Sequence, residues 1–448
     1  MKKNRIFFLA GVIIGFLAVS SSCKQTRESS LPNIILITVD ALRADHLSTY
    51  GYPYETSPCI DAFAEKSTVF EYAYCAIPKT SASFASLMTG LHPFVHKTKP
   101  NRGILKDRFI TLAEALKLRG YHTVAVVDNA NLSKKYRFHQ GFDRYETAWD
   151  TIQDKRESTP FITKKVLEIL ENPGKQPLFL WAHYVETHAP YVPPESFIEE
   201  RPKGRLIKDI PLKIVVGGER VYEERPYEGE FLARYDAAVK YTDAEFGKIT
   251  EVLFAEGYLK NSIIILSSDH GEELGEYNFF FDHGPLTFNS SIRVPLIVYL
   301  PGENHRRIST PVSLMDIYPT LLDKVGLSPP YRIQGKHLFE RDTQRFLLIP
   351  GQVGTWSVIH RNYHFVAVSS ALVNKLGLQP VYFFDLTQDP QERRNIADQR
   401  KKLQDLMAKK YIEFYEKYGD MEKAEKANEK PALSEKELKN LKSLGYIH

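Results

Sequence analysis

The stretch Pro32-Asn33-Ile34-Ile35-Leu36-Ile37-Thr38-Val39-Asp40-Ala41-Leu42-Arg43-Ala44-Asp45 reads as a buried strand running out onto a carboxylate. Residues 34–39 are apolar without alternation, the pattern of a strand covered on both faces. Similar runs recur at 123–127, 178–184, 263–267 and 296–300. Helical patterns lie between them: 110–119 closed by Gly120, 161–170 ending near Asn172-Pro173, and 230–256 stopped by Gly257. Strands alternating with helices predict an α/β fold with a doubly wound, mostly parallel sheet. Short β-like pieces at 357–360, 364–369 and 381–385 predict a small antiparallel subdomain over 341–400. Residues 401–448 read as a charged helical tail, with a capping box at Ser434 and Glu437. The expected organisation is a leader at 1–22, a catalytic domain at 32–340, the β subdomain and the tail.

The 448 residues are 43% hydrophobic and 25% charged, which excludes disordered, collagen-like and polytopic membrane chains. Net charge is +4, and Lys2, Lys3 and Arg5 account for three of those charges. No basic face is implied, and nucleic acid is not an expected partner. The same three residues precede an apolar run over 6–19, too short to span a membrane, followed by Ser20-Ser21-Ser22-Cys23. This reads as an export signal, and Cys23 resembles a bacterial lipidation site although Ser20 stands where Leu is usual. The expected location is the periplasm or outer envelope, with membrane contact only through an anchor at Cys23. Cys59 and Cys75 are either one disulfide or two buried thiols, and nothing in a chain this long needs a staple. The segment 192–228, rich in Pro, Gly and Arg, reads as an inserted surface loop; its Arg201, Lys203, Arg205 and Lys208 read as solvated charge.

In sheets of this kind ligands gather beyond the carboxyl ends of the strands. The first run ends on Asp40. The run at 263–267 leads into Ser268-Asp269-His270-Gly271-Glu272, and that at 178–184 into Glu186-Thr187-His188-Ala189-Pro190-Tyr191. A single Asp in such a place commonly caps the next helix. Three strand ends together read instead as an oxygen-and-nitrogen ligand set for a divalent ion. The segment Pro78-Lys79-Thr80-Ser81-Ala82-Ser83-Phe84-Ala85-Ser86-Leu87-Met88-Thr89-Gly90 is a hydroxyl-rich turn feeding a short helix. A hydroxyl there meets free N–H groups and the positive helix end, which favour an anion. Alone, a Ser/Thr cap is the simpler account.

Taken together these segments resemble the sulfatases of the alkaline-phosphatase superfamily. The resemblance extends through Thr89-Gly90-Leu91-His92-Pro93, Ser268 to Glu276, Arg293-Val294-Pro295-Leu296, Asp316-Ile317-Tyr318-Pro319-Thr320, Asp385 to Pro390 and Leu444-Gly445-Tyr446. It implies hydrolysis of a sulfate or phosphate ester through a covalent intermediate, with one divalent metal. It places Asp40, Thr80, Asp269 and His270 as metal ligands. His188 and His283, the latter in Asp282-His283-Gly284, would contact the ester or its leaving group. Arg43 and Lys79 are weaker anion contacts and stay outside the catalytic set.

The chain departs from the family pattern at the nucleophile. Formylglycine sulfatases carry Cys or Ser, then Pro two residues on and Arg four residues on. Counting back from Thr89-Gly90 puts Thr80, Ala82 and Phe84 in those slots. Threonine cannot become formylglycine, since its methyl would leave a ketone. Thr80 thus resembles the nucleophilic threonine of related phosphodiesterases and phosphoglycerol transferases. A hydroxyl at a helix N-terminus can attack phosphorus, and water can hydrolyse the phosphothreonine, whereas a sulfothreonine lacks the aldehyde-hydrate exit. Ala41 and His270 also stand where many sulfatases have Asp and Asn. That set carries less negative charge than an all-oxygen calcium site, so manganese and zinc are as fitting as calcium. The expected function is a metal-dependent hydrolase of sulfuric esters acting on a sulfated or phosphorylated small molecule, glycan or lipid. The alternatives are a phosphodiesterase, phosphonate hydrolase or transferase using Thr80, and a non-catalytic binding lipoprotein on the same scaffold.

Overall fold

A computed structural model describes residues 31–152, 154–207 and 227–419, with a short ladder at 215–216 and 219–220. The leader with Cys23, Lys208, the capping box at Ser434 and the remainder of the tail lie outside the described residues. Eight strands form the main sheet: β1 (Asn33–Val39), β2 (Thr68–Phe70), β3 (His122–Val127), β4 (Arg144–Thr147), β5 (Leu178–Tyr184), β6 (Ser262–Ser268), β7 (Leu296–Tyr299) and β8 (Arg306–Ile308). Their order is β8-β2-β7-β6-β1-β5-β3-β4. β1 lies at the centre, with Leu36 opposite Trp181 on β5 and Ile265 on β6, and β7 alone runs antiparallel to its neighbours.

The unbroken apolar runs follow from this layering. Ile34, Leu36, Trp181 and Ile265 face one core, which they share with α1 (Thr80–Thr89). Ile35, Ile37, Leu180 and Ile264 face a second core under α2 (Ser158–Glu171) and α3 (Glu228–Ala255). All ten residues of α1 are buried, so it has no solvent-exposed face. It ends at Gly90, with φ +69°, where an added Cβ would meet the Tyr318 ring at 3.0 Å.

The C-terminal part is a four-stranded antiparallel meander of β9 (Phe346–Pro350), β10 (Thr355–His360), β11 (Tyr363–Val368) and β12 (Val381–Asp385). Helix Lys401–Tyr418 covers one face, burying Met407 and Tyr411 against Val358 and Phe383. Ile359, Val366 and Phe384 on the other face join the first main core. Short strands β2, β4, β8 and β9 are additions to the sequence-based reading. β8 is Arg306-Arg307-Ile308, without an apolar run, and β9 ends in Pro350, which suits only a sheet edge. Cys59 and Cys75 are both free thiols. Among the described residues no helix is long and apolar enough to cross a membrane.

Asp316 anchors the passage into the meander. Its buried carboxylate takes Arg345 Nη1 at 2.5 Å and Nη2 at 2.8 Å, and the N–H groups of Ser313 and Lys336 at 2.9 and 2.7 Å. Asp316→Ala would leave the Arg345 guanidinium buried without its partner. A loss of about 3–5 kcal/mol is expected, read from urea unfolding; a change below about 1 kcal/mol would show the pair to be peripheral.

Candidate active site

Asp40 follows the last residue of the central strand, and its N–H donates to the Tyr184 carbonyl at 2.8 Å, which holds the chain at the sheet's carboxyl edge. Asp269 and His270 follow β6, the neighbour of β1. The next residue after Asp40, Ala41, turns with φ +60°, an uncommon backbone for a residue with a Cβ. Tyr235 Oη donates to the Ala41 carbonyl at 2.8 Å, and the Ala41 N–H donates to Asp269 Oδ1 at 3.3 Å, so this turn ties both strand ends together.

One ligand atom each from Asp40, Asp269 and His270 lies within 4.8 Å of the others, and all three residues are wholly buried. His270 Nδ1 donates to the Gly271 carbonyl at 2.9 Å, which places the ring proton there and leaves the Nε2 lone pair facing the carboxylates. Nε2 stands 3.2 Å from Asp269 Oδ2 and 3.6 Å from Asp40 Oδ1. Those two carboxylate oxygens have no hydrogen-bond partner. Burial opposes ionisation of Asp40, but His188 and the hydrogen bond from His183 outweigh it and hold this carboxyl well below its usual range. Burial and the facing Asp40 push Asp269 well above its own. Burial also keeps His270 neutral. Two buried, unpartnered carboxylate oxygens beside an imidazole lone pair fit a divalent cation, and the mixed oxygen and nitrogen donors suit manganese or zinc as well as calcium.

Thr80 is the first residue of α1, and its Oγ1 lies 3.3 Å from His270 Nε2. Ser83 Oγ locks the helix to the second strand end by donating to the Asp269 carbonyl at 2.6 Å. One helical turn further, Phe84 packs against Trp181 and His183, at ring distances of 5.0 and 4.8 Å. The slot that holds a cation in formylglycine sulfatases is here an apolar plug in the core.

Two further imidazoles flank the cluster. The His283 ring stacks on His270 at 4.0 Å and stands 5.1 Å from His188. Glu272 Oε1 holds His283 Nδ1 at 2.9 Å, while Tyr191 Oη donates to Glu272 Oε2 at 3.1 Å. Burial pushes the Glu272 carboxyl up to about 7. His188 Nδ1 donates to the Ala189 carbonyl at 2.6 Å. Lys79 crosses Gly284, where a Cβ would meet its Cε at 2.2 Å, and its ammonium lies 3.6 Å from Asp282. Arg43 is bound to Asp45 and Glu276 and to the Glu272 carbonyl, and so braces the loop rather than facing the cluster.

The structure thus gathers Asp40, Thr80, Asp269, His270, His188 and His283 in one place. Sequence reasoning missed Asn129, whose Nδ2 donates to Asp40 Oδ2 at 2.5 Å, and His183, whose Nε2 lies 3.6 Å from the same oxygen. Asn129 follows the run at 123–127, so the strand-end rule applied there would have found it. His183 sits inside an apolar strand and leaves no such sign.

A family model described as Sulfatase matches residues 32–327. The chain is 25% identical to a protein named Sulfatase from Formosa agariphila, over 88% of this chain and 89% of that one. Its fold is similar to that of a phosphonate monoester hydrolase from Agrobacterium radiobacter, with TM-score 0.69, 20% identity, and 86% and 96% of the two chains covered. It is also similar to a protein solved with its substrate D-glucosamine-2-N,6-O-disulfate, with TM-score 0.70, 20% identity, and 89% and 100% covered.

Proposed function

The chain belongs to the sulfatase family of sulfuric ester hydrolases, and from that premise we propose that it cleaves a sulfate ester on a glycan with Thr80 as the nucleophile. The observation that carries this reading is Thr80 Oγ1, buried at the N-terminus of α1 and 3.3 Å from His270 Nε2. The sugar disulfate bound by a structural neighbour supports the choice of a glycan.

Asp40, Asp269 and His270 would hold one divalent metal, with Thr80 beside it. Bound there, the cation supplies positive charge for the ester oxygens and eases ionisation of a nearby hydroxyl. Thr80 Oγ1 attacks sulfur, the bond from sulfur to the sugar oxygen breaks, and the alcohol leaves. His188 has its Nδ1 proton committed to Ala189, so Nε2 is the atom that takes up the proton Thr80 releases and hands it to the leaving oxygen. His283, fixed by Glu272, faces the same space. Water then cleaves the Thr80 ester, releasing sulfate and restoring the hydroxyl.

A second reading rests on the methyl of Thr80 and on Phe84 in the core, which leave no formylglycine route. It is hydrolysis of a phosphate ester, for which water readily attacks the phosphothreonine. Metal-loaded enzyme assayed on 4-nitrophenyl sulfate and on 4-nitrophenyl phosphate esters tests the two. Faster turnover of the sulfate supports the first reading, and a preference for phosphorus replaces it with the second.

Export with acylation at Cys23 is a further part of the proposal, supported by the basic and apolar leader. Cys23→Ser is expected to shift the protein from the membrane to the soluble fraction. Unchanged membrane association would remove the anchor from this account.

A further inference from the structure

Beside the cluster lies a cavity of about 300 Å³ whose wall runs from His188 to Trp149. It adjoins the reactive groups through shared residues. His188 belongs to both, and Asn129, which holds Asp40, is in its lining. Its wall is also tied to the helix of the nucleophile, because Ser81 Oγ donates to the Asn131 carbonyl at 3.4 Å. Lys155 holds the opposite side rigid. Its ammonium donates to the carbonyls of His188 at 2.5 Å and Pro190 at 2.9 Å, fastening the His188 turn to the approach of α2.

Trp149 is 60% exposed, and nothing in the core accounts for a large aromatic at that rim. We propose that this cavity is the leaving-group subsite and that Trp149 is its specificity-determining residue, stacking on the face of one pyranose ring that carries the ester. The inference rests on the ester-hydrolase reading above and names its substrate class. A sugar ring has an apolar C–H face and a hydroxylated edge. The cavity offers both kinds of surface, apolar from Trp149, Ile152 and Pro190 and polar from Asn131 and Lys155. Its volume sits at the lower end of ligand pockets, so it takes one ring and leaves the rest of a polymer outside. An alkyl chain would bring no hydrogen-bonding group to the Asn131 amide, which disfavours a lipid.

The test uses binding, so that it does not depend on turnover. The Thr80→Ala full-length protein, loaded with metal, is titrated by calorimetry with glucosamine 6-sulfate, 4-nitrophenyl sulfate and methyl sulfate. Adding Trp149→Ala is expected to weaken glucosamine 6-sulfate by about tenfold more than methyl sulfate, and Trp149→Phe to restore part of that difference. Equal weakening of both probes, or no binding of the sugar ester, overturns the proposal. So does a Trp149 effect confined to 4-nitrophenyl sulfate, which would make the subsite an aryl site. Failure of the catalytic reading shows separately, as turnover that survives Thr80→Ala.

Discussion

Thr80→Ala is expected to lower kcat/KM by roughly 10⁴- to 10⁶-fold, the usual scale for loss of a covalent nucleophile. The oxygen lost is buried and stands 3.3 Å from His270 Nε2. Nothing else in α1 offers a replacement, since the next hydroxyl, Ser81, donates to the Asn131 carbonyl and Ser83 to that of Asp269. Thr80→Ser is expected to retain part of the activity, because it keeps the oxygen and removes only the methyl. Thr80→Cys is expected to give no working formylglycine enzyme, because Ala82 and Phe84 occupy the other positions of that motif. Steady-state kinetics measures the loss. Rapid quenching with isotopically labelled ester, followed by peptide mapping, locates the label on Thr80 and shows whether it is sulfur or phosphorus. Full activity of Thr80→Ala would move the search to another nucleophile, beginning with the buried thiol of Cys75.

Asp40→Ala and Asp269→Ala should each lower divalent-metal affinity by well over about 100-fold and abolish turnover. Residues that only support a ligand already cost roughly 10- to 100-fold. The fold is expected to survive. Asp40→Ala removes a hydrogen-bond partner of Asn129, a cost of about 1–3 kcal/mol, but it also relieves a cluster in which two buried carboxylate oxygens have no hydrogen-bond partner. Metal analysis of the purified variants gives the content. Thermal melts give a second reading: a chelator should lower the Tm of the wild-type protein, since the folded state alone holds the assembled site, and should leave either variant unmoved. Stoichiometric metal in either variant would sink the assignment.

The chain's own pattern determined much of this. β1, β3, β5, β6 and β7 were legible because burial on both faces leaves an unbroken apolar run, a signal local to each segment. Asp40, Asp269, His270 and His188 were legible because they directly follow such runs. Thr80 was legible only through its distance from Thr89-Gly90, and the helix does begin at that residue.

What remained was decided by which strand ends meet. The order β6-β1-β5-β3 brings Asp269, Asp40, His188 and Asn129 to one edge, although Asn129 lies 89 residues from Asp40. His183 is hidden within a strand that reads as wholly apolar. The pairing of Glu272 with His283 depends on a loop that folds back across the site. Phe84 shows the same limit, since the sequence marks a missing cation there, while only packing against Trp181 and His183 shows what replaces it. Periodicity reports how a segment is buried along its own length. The partners of a buried polar group come from long-range strand pairing, which no local pattern encodes.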